Sequence, residues 1–75
     1  MSTFYAEDNG TIYRFQVEAG ISWFSGEAYH TVRVSSRYYG ERRYTYEFSQ
    51  NVHGCYNARE AADRIAWNAY YIRTE

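Results

Sequence analysis

Three side chains in this sequence are of the types that bind soft metals or act as nucleophiles: His30, His53 and Cys55. His53 and Cys55 stand two positions apart, immediately before a stretch with a helical pattern. A structural zinc site needs four ligands in a closed spacing pattern, and the sequence provides neither the fourth ligand nor the spacing. A thiol close to a helix start could also be an activated nucleophile. We instead interpret Cys55 as a small, buried thiol at the corner between the last strand and the helix.

Other catalytic arrangements are absent from the sequence. It has no glycine-rich phosphate loop, no Ser, His and Asp arrangement, and no carboxylate pair placed at an apolar pocket. The charged pairs that stand out, Glu60 with Arg64 and Arg59 with Asp63, are four residues apart on the predicted helix and are expected to stabilise it. We therefore predict a protein that is not an enzyme and that holds neither a metal nor another cofactor.

A stretch rich in arginine and tyrosine, residues 29–46, is the candidate nucleic-acid surface. Arginine contacts phosphates and base edges, and tyrosine stacks on bases. Against this function, the net charge is -1, no lysine is present, and Glu41 and Glu47 lie within the stretch. We keep nucleic-acid binding as the alternative function, and the residues that would carry it are Arg33, Arg37, Tyr39, Arg42 and Arg43.

Two aromatic groups are candidates for binding another protein, because tryptophan, tyrosine and arginine are over-represented at interfaces and their hot spots. One group follows the side of the C-terminal helix that faces away from its apolar stripe, and the other lies in the loop 18–27. The predicted protein-binding residues are Trp67, Tyr70, Tyr71, Arg64, Trp23 and Phe24. Self-association through the helix group, giving a homodimer, is the nearest alternative to a foreign partner. In another alternative, the loop or a sheet edge covers Trp67.

Length and composition limit the fold and its location. A chain of 75 residues fits a single domain, residues 1–75, with a small core. Ten tyrosines and the absence of leucine, lysine and proline favour strands. The single cysteine indicates a reducing compartment, and the sequence has neither a signal peptide nor an apolar run of about 20 residues. We expect a cytoplasmic protein that does not bind membranes.

The first two strands are predicted from an Asn-Gly turn. Residues 4–7 and 11–17 flank Asn9 and Gly10, both of which tolerate the positive φ of a type I′ turn. A two-residue loop at these positions places Phe4 opposite Phe15. The core face then holds Phe4, Ala6, Tyr13, Phe15 and Val17, and the outer face holds Tyr5, Glu7, Ile12, Arg14 and Gln16.

Residues 18–27 interrupt the alternation and contain two glycines, which indicates a loop. This loop also carries Trp23 and Phe24. Either one of these rings folds down and closes an open end of the core, or the rings are exposed and dock on a partner. The first arrangement is the expected one.

A second hairpin is predicted from residues 28–38 and 42–50. Val32 and Val34 mark the core side of the first strand, and the second strand has an apolar row of Tyr44, Tyr46 and Phe48. A three-residue loop, 39–41, with Gly40 at positive φ, places Val34 opposite Tyr46 and keeps the two apolar rows on one face. The same register places Val32 opposite Phe48. Residues 51–56 then connect this strand to the helix.

This register predicts two charge pairs on the outer face. Arg33 meets Glu47, which is an attractive cross-strand pair. Arg37 meets Arg43, which is a pair of like charges. Their repulsion either invites an anionic partner or is relieved by hydration and by stacking on Tyr39.

The chain ends in a predicted helix, residues 57–73. Asn57 can accept a backbone N–H bond as N-cap, and Glu60 can reach back to the N–H of Asn57, which completes a capping box. Tyr56 and Ala61 stand where a hydrophobic staple would form. One side of the helix carries a thin apolar stripe of Ala58, Ala61, Ala62, Ile65, Ala66, Ala69 and Ile72.

The predicted fold class is α+β: an antiparallel sheet of three to four strands, in two hairpins, covered on one face by a single C-terminal helix. The stretch REAADRIA, with Glu60, Ala61, Ala62 and Ala66, resembles the helix of the AP2 DNA-binding domain, which also follows a three-stranded sheet. This resemblance implies DNA binding and assigns no contact residue.

We predict a non-enzymatic protein-binding module of inhibitor or adaptor type, which docks on a larger protein or nucleoprotein complex. Its small size and its aromatic-rich surfaces resemble those of compact phage and mobile-element proteins that act against host defence, including anti-CRISPR proteins. On this hypothesis the function of the chain is docking, and no chemistry takes place on it.

Overall fold

The computed structural model describes residues 1–74, with side chains for residues 1–66. The strands are β1 Ser2–Asp8, β2 Thr11–Ile21, β3 Ala28–Tyr38 and β4 Thr45–His53, and the helix α1 spans Ala58–Thr74. The four strands form one antiparallel sheet in the order β1-β2-β3-β4. The helix packs against β1, β2 and β3. The predicted α+β class is therefore confirmed, with four strands.

The first hairpin has the predicted register. Phe4 lies opposite Phe15, and the turn residues Asn9 and Gly10 have φ values of 48° and 81°. These are the positive values that a type I′ turn requires. Strand β2 is longer than predicted, because it continues past Val17 to Ile21.

The core lies between the sheet and the helix. Its buried residues are Tyr13, Phe15 and Val17 on β2, Val32 and Val34 on β3, Val52 on β4, and Ala61, Ala62 and Ile65 on α1. The small alanines allow the helix to lie close to the large side chains of the sheet. The described part of the predicted apolar stripe, residues 58–66, faces this core.

The helix start agrees with the prediction in its N-cap and differs in two details. The Glu60 N–H donates to Asn57 Oδ1 at 2.9 Å, so Asn57 is the N-cap. Glu60 Oε2 accepts the N–H of Tyr56 at 2.8 Å, one residue before the predicted donor. The staple between Tyr56 and Ala61 is wrong, because Tyr56 is 92% exposed. The half-buried Cys55 packs against the core at this corner instead.

The predicted register of the second hairpin is wrong. The connection comprises residues 39–44, and Val34 lies opposite Phe48 rather than Tyr46. A β-bulge next to Val34 makes Ser35 the partner of Tyr46. Because the bulge adds one residue to β4, Phe48 lies on the helix side of the sheet and Tyr46 lies on the outer side. Strand β4 also continues through Val52, which was predicted to lie in the connection to the helix and which is buried.

The charge pairs predicted from that register do not form. Arg33 lies opposite Ser49, and Arg43 lies in the connection, outside the strand that would have placed it against Arg37. Glu47 is the extra residue of the bulge. Its carboxylate accepts a hydrogen bond from Ser36 Oγ at 2.7 Å.

Candidate functional site

The two ends of the sheet differ in chemistry. One end is the β2–β3 loop, residues 22–27. At the other end, the Tyr39 N–H donates to the Gly10 carbonyl at 3.1 Å and holds the β3–β4 connection against the first turn. We name the first end the aromatic tip, which comprises Ile21, Trp23 and Phe24. We name the second the arginine–tyrosine end, which comprises Arg14, Arg37, Arg42, Arg43, Tyr39, Tyr44 and Tyr46. It extends along the outer face to Arg33, which contacts Tyr46.

The aromatic tip is exposed. Trp23 and Phe24 are each 85% exposed, and their rings stack with centroids 4.2 Å apart. The expectation that one of these rings closes the core is therefore wrong. The reason is the length of the hairpin: β1 begins at Ser2, opposite Val17, so residues 18–21 carry the loop beyond the part of the sheet that β1 flanks.

Hydrogen bonds within the loop hold the tip in one conformation. The Ser22 N–H donates to the Glu27 carbonyl at 2.9 Å, and the Gly26 N–H donates to the Ser22 carbonyl at 2.7 Å. Ser22 Oγ also accepts the Ser25 N–H at 3.4 Å. Gly26 has a φ of 72°, a value at which a side chain would be strained. The loop backbone is thus organised before any partner binds, which lowers the entropy cost of docking.

A ring packed across a glycine supports the stem of the tip. Tyr29 lies opposite Gly20, and its ring occupies the space in which a side chain at position 20 would stand. The same ring contacts His53 of β4, with ring centroids 5.8 Å apart. The part of the hairpin beyond β1 is therefore tied to the neighbouring strand.

Cation–π contacts organise the arginine–tyrosine end. The guanidinium carbons of Arg14 and Arg37 lie 4.1 Å and 5.3 Å from the centre of the Tyr44 ring. The guanidinium of Arg33 lies 5.0 Å from the centre of the Tyr46 ring. Two positive charges therefore share one ring, so like charges are crowded here, although the crowded pair is not the one that the sequence predicted.

Three further residues of this end lie on the β3–β4 connection. Arg42 and Arg43 are exposed, and Tyr39 is 57% exposed. A hydrogen bond with the Glu7 carboxylate raises the pKa of Tyr39 above its ordinary value of 10.0. The connection thus carries two arginines and a ring that is anchored to the neighbouring hairpin.

The structure brings Arg37, Tyr39, Arg42 and Arg43 of the predicted nucleic-acid set to this end. The fifth residue, Arg33, lies opposite Gln16, at the middle of β2. The structure adds Arg14, Tyr44 and Tyr46, which the sequence analysis did not include in that set. Arg14 could have been found, because the alternation of β2 places it on the outer face. Tyr44 and Tyr46 lie within the stretch predicted to bind nucleic acid, but the predicted register placed their side chains on the core face.

The helix group of predicted protein-binding residues is described only in part. The Arg64 guanidinium donates to the carbonyls of His53 at 3.1 Å and Gly54 at 3.4 Å, and it forms an ion pair with Glu60 at 3.0 Å. Arg64 therefore fastens the helix to the end of β4. The side chains of Trp67, Tyr70 and Tyr71 lie outside the residues that the structure describes.

The histidines and the cysteine do not share a site. His30 lies on the helix side of the sheet and His53 on the outer side, because they pair with Val52 and Tyr29, respectively. Cys55 packs against the core. Within the described part of the chain, no group of three or more His, Cys, Asp or Glu side chains could hold a metal ion. No described helix is long and apolar enough to cross a membrane.

No protein-family model, curated protein or solved structure matches this chain. The resemblance of residues 59–66 to the AP2 DNA-binding domain therefore has no support from a family match. The protein can therefore be classified only by its architecture. It is a four-stranded antiparallel sheet with one helix and an exposed aromatic loop.

Proposed function

We propose that this chain is a non-enzymatic protein-binding module of inhibitor or adaptor type, which acts in the cytoplasm and docks on a larger protein through the aromatic tip. The observation that carries the proposal is the stacked pair of Trp23 and Phe24, each 85% exposed on a hydrogen-bonded loop. The fold gains no burial from these rings. An exposed apolar cluster of this kind typically marks an interaction site.

The energetics of two large rings suit a docking anchor. Each aromatic side chain buries about 150–250 Å² when it is covered. Hot-spot aromatics cost about 2 kcal/mol or more when they are truncated to alanine. The loop is already ordered, and Ile21, 71% exposed, extends the apolar surface along the stem.

The charges beside the aromatic tip indicate which kind of partner surface it would bind. Glu18 and Glu27 flank the loop and are exposed, whereas no arginine occurs between residues 15 and 32. Acidic residues around an apolar anchor favour a partner with an apolar pocket and a basic rim. They disfavour the negatively charged surface of the cytoplasmic membrane leaflet. A phage or mobile-element origin, with a host-defence protein or nucleoprotein as the target, remains part of this proposal.

The test is affinity capture from extracts of the source cells, followed by binding measurements on the purified captured partner. Trp23→Ala with Phe24→Ala should lower the affinity for that partner by about 30-fold or more. Tyr5→Ala is the matched control, because Tyr5 is a 64% exposed aromatic residue on β1, away from the loop. The control should keep the native affinity.

Retention of the partner by the double tip variant would refute docking through this loop. A Trp67→Ala variant in the same series tests the helix group separately. If Trp67→Ala loses the partner and the tip variant keeps it, the helix group is the interface. Anionic vesicles provide the membrane control, and Trp23 fluorescence in a Trp67→Phe background should not change when they are added.

A further inference from the structure

We propose that the arginine–tyrosine end binds single-stranded nucleic acid, with tyrosine rings stacking on bases and Arg42 and Arg43 contacting phosphates. This site lies at the opposite end of the sheet from the aromatic tip. It is independent of the proposed docking function.

Positive charge is concentrated around the Tyr44 ring and on the β3–β4 connection. Four of the eight arginines, Arg14, Arg37, Arg42 and Arg43, stand at this end, and Arg33 lies at the middle of the outer face. Arg14 and Arg37 both lie within 5.3 Å of the centre of the Tyr44 ring. The Nε of Arg14 is buried and has no hydrogen-bond partner among the described residues. Arg37 donates to the Glu41 carbonyl at 3.0 Å. The crowding of two guanidinium groups makes this end locally positive and favours an anionic ligand.

Exposed aromatic rings lie beside those charges. Tyr39 is 57% exposed and Tyr46 is 51% exposed. A groove of about 310 Å³ on the outer face is lined in part by Arg33 and Tyr46. Another, of about 250 Å³, is lined in part by Arg37 and Tyr38. Each groove thus contains one arginine and one tyrosine, with Glu18 in the first and Glu41 and Glu47 in the second. Exposed aromatic rings beside arginines are the arrangement that holds unpaired bases and their backbone.

Four carboxylates lie at the same end: Glu7, Asp8, Glu41 and Glu47. The Glu47 carboxylate accepts the Ser36 hydroxyl, and Glu7 is hydrogen-bonded to Tyr39. Because they offset part of the arginine charge, we expect binding to depend mainly on stacking. Two phosphate contacts on a single strand give a slope of about −1.4 in the logarithm of the binding constant against that of the salt concentration.

The experiment is fluorescence anisotropy with labelled oligothymidylate or oligouridylate of about twelve nucleotides, within the usual range of single-strand site sizes. An abasic oligonucleotide of equal length provides the same charge without bases. We expect the base-containing strands to bind and the abasic strand to bind about tenfold more weakly. Between about 50 and 200 mM salt, affinity should fall about sevenfold.

Two matched pairs of variants assign the interaction to residues. Arg42→Gln with Arg43→Gln should weaken binding and reduce the salt slope towards zero, whereas Arg59→Gln, on the exposed side of the helix, should change neither. Tyr39→Ala should weaken binding about tenfold. Tyr39→Phe keeps the ring without the hydroxyl and should bind like the native protein. Circular dichroism confirms that each variant is folded.

Three results would overturn the proposal. One is no binding up to about 0.1 mM protein, the weak limit of non-specific affinity. The second is equal affinity for the base-containing and abasic strands, because that result indicates a site for polyanions or acidic proteins. The third is an equal effect of the Arg59→Gln variant and the double arginine variant.

Discussion

Among single residues, Gly20 has the most specific steric role. A Cβ at position 20 would lie 2.7 Å from Cζ of the Tyr29 ring, so the ring would have to move away from the strand. We predict that Gly20→Ala lowers the free energy of unfolding by about 1 kcal/mol, the cost of an off-rotamer side chain. Urea unfolding gives this value.

The matched control for this prediction is the same substitution in a Tyr29→Ala background. With the ring absent, Gly20→Ala should be neutral or stabilising, because alanine in a strand loses less backbone entropy on folding than glycine. The double-mutant cycle therefore isolates the steric contact. Equal destabilisation in both backgrounds would show that the ring is not the cause.

A second prediction at the residue scale concerns Glu60 and pH. The backbone N–H of Tyr56, and then the Arg64 guanidinium, lower the pKa of Glu60 from its ordinary value of 4.5. The pKa of Glu60 is lower in the folded protein than in the unfolded chain. The stability that Glu60 contributes is therefore complete above about pH 4.5, and it is lost as the pH falls through the pKa of the folded protein. The difference in unfolding free energy between native protein and Glu60→Gln should shrink over that range.

Carboxyl NMR titration measures the pKa directly, and Arg64→Ala is the informative control. The Tyr56 N–H is the largest cause of the lowered pKa, so Arg64→Ala should raise the pKa of Glu60 only partly towards 4.5. A complete return to 4.5 would assign the whole effect to the guanidinium. An ordinary pKa in the native protein would refute the hydrogen bond.

At the scale of the element, the helix depends on its N-cap. The Glu60 N–H donates to Asn57 Oδ1 at 2.9 Å. We predict that Asn57→Ala lowers the free energy of unfolding by about 1 kcal/mol. This loss corresponds to a fall in Tm of about 4–8 °C in a domain of this size. Asn57→Ser keeps a capping oxygen and should have close to native stability, so equal losses for alanine and serine would refute the capping role.

Elements marked by local chemistry were predictable from the sequence, and those decided by longer-range geometry were not. Asn9 and Gly10 define their turn by backbone conformation, and Asn57 defines the helix start by one side-chain bond. The register of the second hairpin was predicted wrongly because an alternating pattern assumes a constant period of two residues along the strand. The bulge breaks this period and places Tyr46 and Phe48 on opposite faces.

The aromatic tip could not be predicted for a related reason. Strand β2 continues through Gly20, although a glycine within an alternating pattern usually indicates a bulge or the end of a strand. The ring of Tyr29, which lies opposite Gly20 on the neighbouring strand β3, fills the space beside this glycine. Trp23 extends beyond the core because strands β2 and β3 are longer than the part of the sheet that β1 flanks. The exposure of the aromatic tip therefore depends on the register and length of the strands. The sequence pattern alone predicted that one of its rings is buried.

At the scale of the whole molecule, the two ends should act independently. The molecule measures 43 × 27 × 17 Å, and the 11 residues of β2 separate the ends by about 35 Å at a strand rise of about 3.3 Å. This distance is several times the Debye length of about 8 Å at physiological ionic strength. Neither a shared contact nor a direct charge interaction connects Trp23 with Arg42 or Arg43 over such a separation.

We therefore predict that Trp23→Ala with Phe24→Ala leaves the oligonucleotide Kd within about twofold of the native value, the usual limit for distant, uncoupled sites. Conversely, Arg42→Gln with Arg43→Gln should leave the affinity for the captured protein partner within about twofold of the native value. Anisotropy measures the first and calorimetry with the purified partner measures the second. If the tip variant weakens oligonucleotide binding as much as the arginine variant does, the two ends belong to one site and the assignment of separate ligands to them is wrong.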